Sequence, residues 1–391
     1  MSTGTALRLQ PELRERRVQG ETKISALPCS LAGLLGFTLP IMYYLPGITS
    51  ASKLNISLAD LFLLPLMLIL WRRWIRSGAL GYWLVALWLF NLISWQLSLL
   101  LVKPDLVTPG MKLVTCFLYA LTGYGIGGEA RTEAAFLKGL LASALPVAAL
   151  SILAYFTGFP SFFIVDSRVT GTFRDPNAFA CYLAMLVPLV SASPAGVYAL
   201  PLLLAGGLVP LSRSGLAALA SSSFLSVLLT NLRRRVFLLV ITLLALVALC
   251  AGVGQTTLSR RIMSYEDSLA YRQHLWGSAL EVASKHPVFG IGKGNWETVS
   301  GERQVPHSSF LQVLVDGGVV GFGVFFFPLL IWFGKGLKRP ATRPWAIAVF
   351  AALVGGLAIS LDNFRFFWLA VGVLVACLAR SNLPRKGDRC S

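Results

Sequence analysis

Apolar residues run in long unbroken blocks along almost the whole chain, and polar residues crowd into the gaps between them. The blocks fall at 29–46, 56–71, 79–102, 111–127, 139–158, 178–193, 197–211, 215–231, 236–254, 308–333, 343–361 and 366–380. At 1.5 Å of rise per helical residue, about 20 residues cross the ~30 Å hydrocarbon core of a bilayer. The pattern therefore predicts an all-α polytopic membrane protein of about twelve transmembrane helices. Blocks six and seven part only at "SASPAG", so they form either a tight hairpin or one broken helix.

The charges orient these blocks. "WRRWIR" (71–76), "RRR" (233–235), "GKGLKR" (334–339) and "RSNLPRKGDR" (380–389) all fall on one side if the spans alternate. The basic N-terminal stretch with Arg8, Arg14, Arg16, Arg17 and Lys23 falls there too. Cationic loops stay in the cytosol, so both termini are expected to be cytoplasmic. Residues 1–28 then form a cytoplasmic tail that has no cleavage signal, 29–380 the membrane domain and 381–391 a second cytoplasmic tail. The loops at 47–55, 103–110, 159–177, 212–214, 255–307 and 362–365 face the other side.

Residues 255–307 make the one long external loop. Within it, "YRQHLWGSALEVASKHP" sets Leu275, Ala279, Val282 and Ala283 at helical spacing. This predicts an amphipathic helix on or near the outer membrane surface, stopped at Pro287 and followed by the glycine turn "GIGKG".

Composition excludes several classes. The chain has 391 residues, 55% of them hydrophobic and only 13% charged. Its mean hydropathy is +0.70, which no soluble domain of this length sustains. The net charge of +17 lies in short loops and is not interleaved with exposed aromatics, so it does not point to nucleic acid. Cys29, Cys116, Cys181, Cys250 and Cys377 lie in or beside apolar blocks, with Cys390 in the tail. Without a CxxC or a Cys/His cluster they read as small core residues, with no disulfide framework and no zinc site.

Some charges stand where topogenesis disfavours them. Arg168, Arg174, Arg213, Arg260, Arg261, Arg272 and Arg303 all map outside, and Arg213 lies between two spans in a connection of very few residues. An arginine at that depth needs water, lipid phosphate or an anion. Several together suit a phosphate group, which guanidinium holds bidentately while staying charged. "GTFRDPN" (171–177) reads as an anion-binding rim. Asp175-Pro176-Asn177 is a turn that hands over to a helix, Asn177 is a suitable N-cap for the run from Ala178, and Gly171 lets the backbone approach a ligand. A plain helix cap with two surface arginines is the alternative.

His307 stands at the external end of the block from 308, where an imidazole can move a proton near neutral pH. It can equally be an interfacial structural residue, with Ser308 or Ser309 capping the helix. His274, two residues from Arg272, is placed to share the site, and His286 before Pro287 reads as a turn residue. Asp60 is the main acid within the spans and reads as helix N-terminal stabilisation. Buried carboxylates for a coupled ion are therefore lacking, which argues against a proton- or sodium-driven carrier. The chain has no paired-carboxylate metal motif, no GxxxxGK[ST] loop and no GxSxG elbow.

"RVTGTFRDPNAFACYL" (168–183), "LSRSG" (211–215), "YRQHLWGSALEVASKHPVFGIGKGNW" (271–296) and "HSSFLQVLVDGGVVGFGVF" (307–325), in this order, resemble the O-antigen ligase and O-antigen polymerase superfamily of bacterial inner-membrane glycosyltransferases. "SLADLF" (57–62) is a weaker fifth match, and the resemblance covers most of 55–335. It implies a multi-pass inner-membrane enzyme with its active site at the periplasmic face, acting without metal or other cofactor. The donor would be a glycan on undecaprenyl diphosphate, and the acceptor another glycan or lipid A-core. Membrane lipids and a chain-length regulator are the further partners it suggests. Carried over by motif, Arg213 and Arg272 hold the diphosphate and His307 serves the acceptor hydroxyl; beside them, the reading of the rim adds Arg168, Arg174, Asp175, Asn177 and His274 as substrate-binding candidates. Many relatives carry Asn after that histidine, where this chain has Ser308. "GTFRDPN" is most similar to the exopolysaccharide-polymerase branch, so a repeat-unit polymerase leads, ahead of an O-antigen ligase. A non-enzymatic lipid-carrier transporter using the same arginines is the alternative of another class.

Overall fold

The computed structural model describes residues 26–41, 57–75, 77–98, 107–166, 168–173, 175–192, 196–229, 255–361 and 364–382. The N-terminal stretch to Lys23, "RRR", the block 236–254 and the tail beyond Asn382 lie outside the described residues. Thirteen α-helices are described. They are α1 (Ala26–Thr38), α2 (Leu58–Trp74), α3 (Ala79–Ser98), α4 (Val107–Gly127), α5 (Ala130–Thr157), α6 (Pro176–Ser191) and α7 (Leu200–Leu208). Then follow α8 (Arg213–Leu228), α9 (Gln255–Lys285), α10 (Trp296–Ser300), α11 (Ser309–Leu337), α12 (Arg343–Gly355) and α13 (Arg365–Arg380). The fold is all-α apart from a two-residue antiparallel ladder of β1 (Ile164–Val165) and β2 (Arg168–Val169), in the register Ile164↔Val169. By length and apolarity alone, two of the described helices qualify as membrane spans, α5 and α11.

The centre of the bundle follows from sequence. Both α6 and α13 are apolar on every face, and from Phe179 to Ser191 and from Phe366 to Leu378 every residue is buried. A helix apolar all round has no wet side and must be surrounded. Accordingly α6 packs against α7, α8 and α12, and α13 against α4 and α12. The α6–α7 contact shows that "SASPAG" separates two helices folded back on one another. The α4–α13 crossing is made by reciprocal glycines. A Cβ on Gly123 would sit 2.1 Å from the Leu369 carbonyl oxygen, and one on Gly372 would sit 1.9 Å from that of Ala120. Small residues let two backbones touch where lipid supplies no hydrophobic drive.

Polar networks tie the two ends. At one end Asp60 completes a capping box with Ser57 and also receives Tyr119 of α4 and Arg365 of α13. Its role is therefore wider than the helix-start stabilisation expected of it. At the other end Glu133 accepts from Trp345 Nε1 and Arg380 Nη2, both at 2.8 Å, and Glu129 pairs with Arg73. There too, Arg343 donates to the Leu229 and Leu337 carbonyls and Arg339 to that of Leu378. Arg73 of the first basic run, Arg339 of "GKGLKR" and Arg380 at the start of the last therefore gather at one end of the bundle.

Two expectations about the long loop change. The amphipathic helix begins at Gln255, well before Tyr271, and ends at Lys285 as the proline requires. Leu275, Ala279, Val282 and Ala283 are all buried, but against Ile291, Trp296 and Val315 of the protein itself, so the apolar face is covered by protein where a membrane surface was expected. The block from 308 is also not one straight helix. Gly318 has φ 60 and ψ −164, which breaks α11 into an outer and an inner part. Segment 287–292 docks along this break: Ile291 and Gly292 donate to the Val315 and Asp316 carbonyls, and Val319 and Val320 to those of Pro287 and Val288. A Cβ on Gly318 would come within 2.3 Å of the Val288 oxygen, so only glycine fits both the torsion and the space.

Candidate functional site

Three turns and one helix bring the candidate residues together. The first turn precedes α6. Asp175, extended at φ −117, caps α6 by accepting from the Asn177 backbone N–H at 2.9 Å, and Pro176 takes the first helical position. The N-cap is therefore Asp175 and not Asn177, because Pro176 supplies a fixed helical φ one residue earlier than the apolar run suggested. Gly171 is buried, with φ 58, and a Cβ there would meet the Phe179 ring at 2.9 Å. That glycine makes room for core packing against Phe179. Arg174 lies outside the described residues.

The second turn leads into α8. Leu211 is left-handed at φ 51, and Ser212 is extended and caps α8 by accepting from the Gly215 N–H at 3.0 Å. Arg213 is thus the first helical residue and is exposed at the rim. Arg168, presented by β2, donates to the Pro210 carbonyl through Nε at 3.4 Å and Nη2 at 3.3 Å, and to Asn177 Oδ1 at 3.3 Å. It braces the two turns against each other.

The third turn repeats this geometry. His307 is left-handed at φ 49, and Ser308 is extended in the N-cap position of α11, without a side-chain cap bond. Ser309 carries the anchoring instead. Its backbone N–H donates to the Gly356 carbonyl, its hydroxyl donates to that of Ile359 at 2.6 Å, and it accepts from the Leu361 N–H at 2.8 Å. Strained torsions of non-glycine residues at φ near +50° persist only where the surroundings over-determine them. Here two of them, Leu211 and His307, immediately precede serines in the N-cap positions of α8 and α11.

The fourth element is α9, which carries Arg272. One helical turn further on, Trp276 donates its indole N–H to the Pro306 carbonyl at 3.0 Å, directly before His307. Trp296 does the same for Gln304 at 2.8 Å. These two tryptophans strap the 301–307 segment to the loop, and neither was foreseen from sequence. The available signal was that a buried indole needs an acceptor.

Electrostatics show that several of the parts lie within reach of one another. Burial lowers the affinity of Arg272 for its proton, the nearby charge of Arg213 lowers it further, and Asp175 opposes both. The guanidinium remains charged at neutral pH. His307 keeps an exposed face, yet burial is the first cause holding its pKa below the ordinary 6.5. Arg272 adds to this and Asp175 works against it. Arg272 therefore feels Arg213, Asp175 and His307, and His307 feels Asp175 as well.

His274 is not part of this cluster. Two residues apart on a helix, side chains do not share a face, and His274 pairs with Glu302 Oε1 at 2.7 Å. His286 follows the end of α9 as a turn residue, as read from sequence. The side chains of Arg260 and Arg261 lie outside the described ones. Among the described residues, no three His, Cys, Asp or Glu side chains are grouped so as to hold a metal ion.

Arg213, Arg272 and Asp175 thus form one group of charges with the His307 imidazole beside it. Comparison with known proteins bears on it directly: residues 198–326 match the family described as O-antigen ligase, a stretch that contains Arg213, Arg272 and His307. The match covers less than half of the chain. A search of curated proteins finds no match.

Proposed function

We propose, from the premise that this chain is a member of the O-antigen ligase/polymerase superfamily, that it is a membrane-bound glycosyltransferase using a lipid-diphosphate-linked glycan. The carrying observation is that Arg272 feels the charge of Arg213, with the Asp175 carboxylate and the His307 imidazole within the same reach of Arg272. Such a pair is costly until an anion binds. A diphosphate leaving group is the anion that makes chemical use of it.

In this reading the donor is undecaprenyl diphosphate carrying the glycan. The acceptor hydroxyl attacks the anomeric carbon as the bond from that carbon to the phosphate oxygen breaks. Arg213 and Arg272 take up the charge that develops on the departing oxygens. His307, neutral because burial and Arg272 disfavour its charged form, accepts the hydroxyl proton. Attack from the face opposite the leaving group inverts the anomeric centre. Arg168 supports the rim, and Arg174 in the same stretch assists with the diphosphate.

The wider setting belongs to the same proposal. The bundle crosses the bacterial inner membrane about twelve times, the end holding Glu129, Glu133, Arg339 and Arg343 faces the cytosol with both termini, and the cleft opens to the periplasm. Residues 29–380 form the catalytic domain, including 255–307, and a chain-length regulator is the expected protein partner. Polymerisation of O-antigen or exopolysaccharide repeats leads, supported by "GTFRDPN". Ligation to lipid A-core is the second reading, supported by the description of the matched family.

Complementation of a strain lacking its own protein separates them, using wild type, Arg213→Ala, Arg272→Ala and His307→Ala at matched membrane levels. A polymerase gives variants that lose long chains and retain single repeats, or lose secreted polymer. A ligase gives variants that lose capped lipid A-core and accumulate lipid-linked polymer. Wild-type behaviour of all three variants overturns the site. Movement of labelled lipid between leaflets by purified protein, without glycan transfer, overturns the enzyme and leaves the transporter.

A further inference from the structure

One side chain joins the rim to the turn that carries Arg213. The Asn177 carboxamide oxygen accepts from Ser212 Oγ at 2.7 Å and from Arg168 Nη2 at 3.3 Å. Arginine only donates, so the atom it meets must be the oxygen, which fixes the orientation of the amide. The backbone of Asn177 is held as well, its N–H bound by Asp175 Oδ1 at 2.9 Å. Asn177 therefore sits in the first turn of α6 with its torsions and its side-chain oxygen both committed.

Ser212 passes this constraint on. Its hydroxyl has one proton, which goes to Asn177. Its oxygen accepts from the Gly215 N–H at 3.0 Å and lies 3.3 Å from Ser214 Oγ. The direction in which α8 starts thus depends on where Ser212 Oγ is held, and Arg213 is the next residue. The preceding residue, Leu211, is left-handed at φ 51 and needs outside support to stay so. Arg168 supplies part of that support through the Pro210 carbonyl, and it too is held by Asn177.

We propose that Asn177 is a positioning residue: through Ser212 and Arg168 its carboxamide oxygen sets where Arg213 stands in the cleft, and it does not itself bind the diphosphate. This replaces its expected role as a substrate ligand, and it rests on the reading of Arg213 as a diphosphate ligand.

The test measures the affinity of purified full-length protein for undecaprenyl diphosphate in nanodiscs. Asn177→Ala should weaken binding by about tenfold, the scale of one misaligned charged hydrogen bond. Asn177→Asp should recover most of that loss, because a carboxylate still accepts from Ser212 and Arg168. Were the amide instead to donate to the diphosphate, Asn177→Asp would bind more weakly than Asn177→Ala, since it removes the donor and adds repulsion. That order overturns the proposal, as does wild-type affinity in Asn177→Ala. Combining Asn177→Ala with Ser212→Ala should be no worse than the weaker single variant, and full additivity counts against action through Ser212. If Asn177→Ala does not fold, Asn177→Asp decides alone, and a loss beyond tenfold overturns the proposal. Arg213→Ala in the same assay keeps the two readings apart. Wild-type affinity there sinks the diphosphate site itself, whereas a loss there with none in Asn177→Ala sinks only the positioning role.

Discussion

Asp60 gathers four partner groups from Ser57, Tyr119 and Arg365, and its removal gives a prediction that can be sized. The carboxylate receives Ser57 N at 2.6 Å, Ser57 Oγ at 3.0 Å, Tyr119 OH at 2.7 Å, and Arg365 through Nε at 3.1 Å and Nη2 at 3.0 Å. The side chains of Arg365 and Asp60 are only 12% and 18% exposed. Asp60→Ala leaves a guanidinium out of water without its counter-charge, which costs about 3–5 kcal/mol. At 1.4 kcal/mol per tenfold, this raises the unfolded population by roughly two to three and a half orders of magnitude. The buried thiols of Cys116, Cys181 and Cys377 report on that population. Their labelling by a thiol-reactive dye in nanodiscs should quicken at least a hundredfold in Asp60→Ala. Pairing that change with Arg365→Leu should recover much of the loss, because no buried charge is then left alone. Labelling at the wild-type rate in Asp60→Ala would refute the reasoning.

Transfer activity should be flat through neutral pH and fall on the acid side only below 6.5, because burial and Arg272 hold the pKa of His307 under that value. Asp175→Asn, which can still cap α6, removes the one charge favouring the imidazolium and should move the acid limb to lower pH. In Arg272→Gln the limb of the residual activity should move up. A pH–rate series showing either shift reversed rejects His307 as the titrating base. Gly318→Ala should lose most activity at full expression, since φ 60 with ψ −164 and a 2.3 Å approach to Val288 exclude a side chain; a fully active variant would refute the docking of 287–292 on the break. Leu275→Ala, at a fully buried position under α9, should cost about 2–5 kcal/mol of local stability. Hydrogen exchange of residues 271–300 should rise accordingly, while α4 and α13 stay protected.

Much of the architecture was legible because it is written in runs. Blocks of apolar residues gave the helices, and Leu275, Ala279, Val282 and Ala283 are buried as their spacing predicted. Arg213, Arg272 and His307 stood out as candidates for a different reason: each is a charge or a proton carrier where the physics of insertion disfavours one. What escaped was geometry set by partners far away in sequence. Asn177 looked like a cap, but Pro176 moved the helix start and freed its oxygen for Ser212, 35 residues on. His274 looked close to Arg272, yet helical rotation turned it to Glu302. The break at Gly318 is hidden within an apolar block rich in glycine, and only the docking of 287–292 explains which glycine yields.

The anchoring of Ser309 has a consequence for the protein's synthesis. The carbonyls of Gly356 and Ile359 and the N–H of Leu361 that hold the His307 turn belong to the connection between the last two helices. A nascent chain emerging from the ribosome exposes Arg213, Arg272 and His307 well before that connection exists. The turn that carries His307 has no fixed place until α12 and α13 have joined the bundle. It is therefore set last, by the connection between α12 and α13.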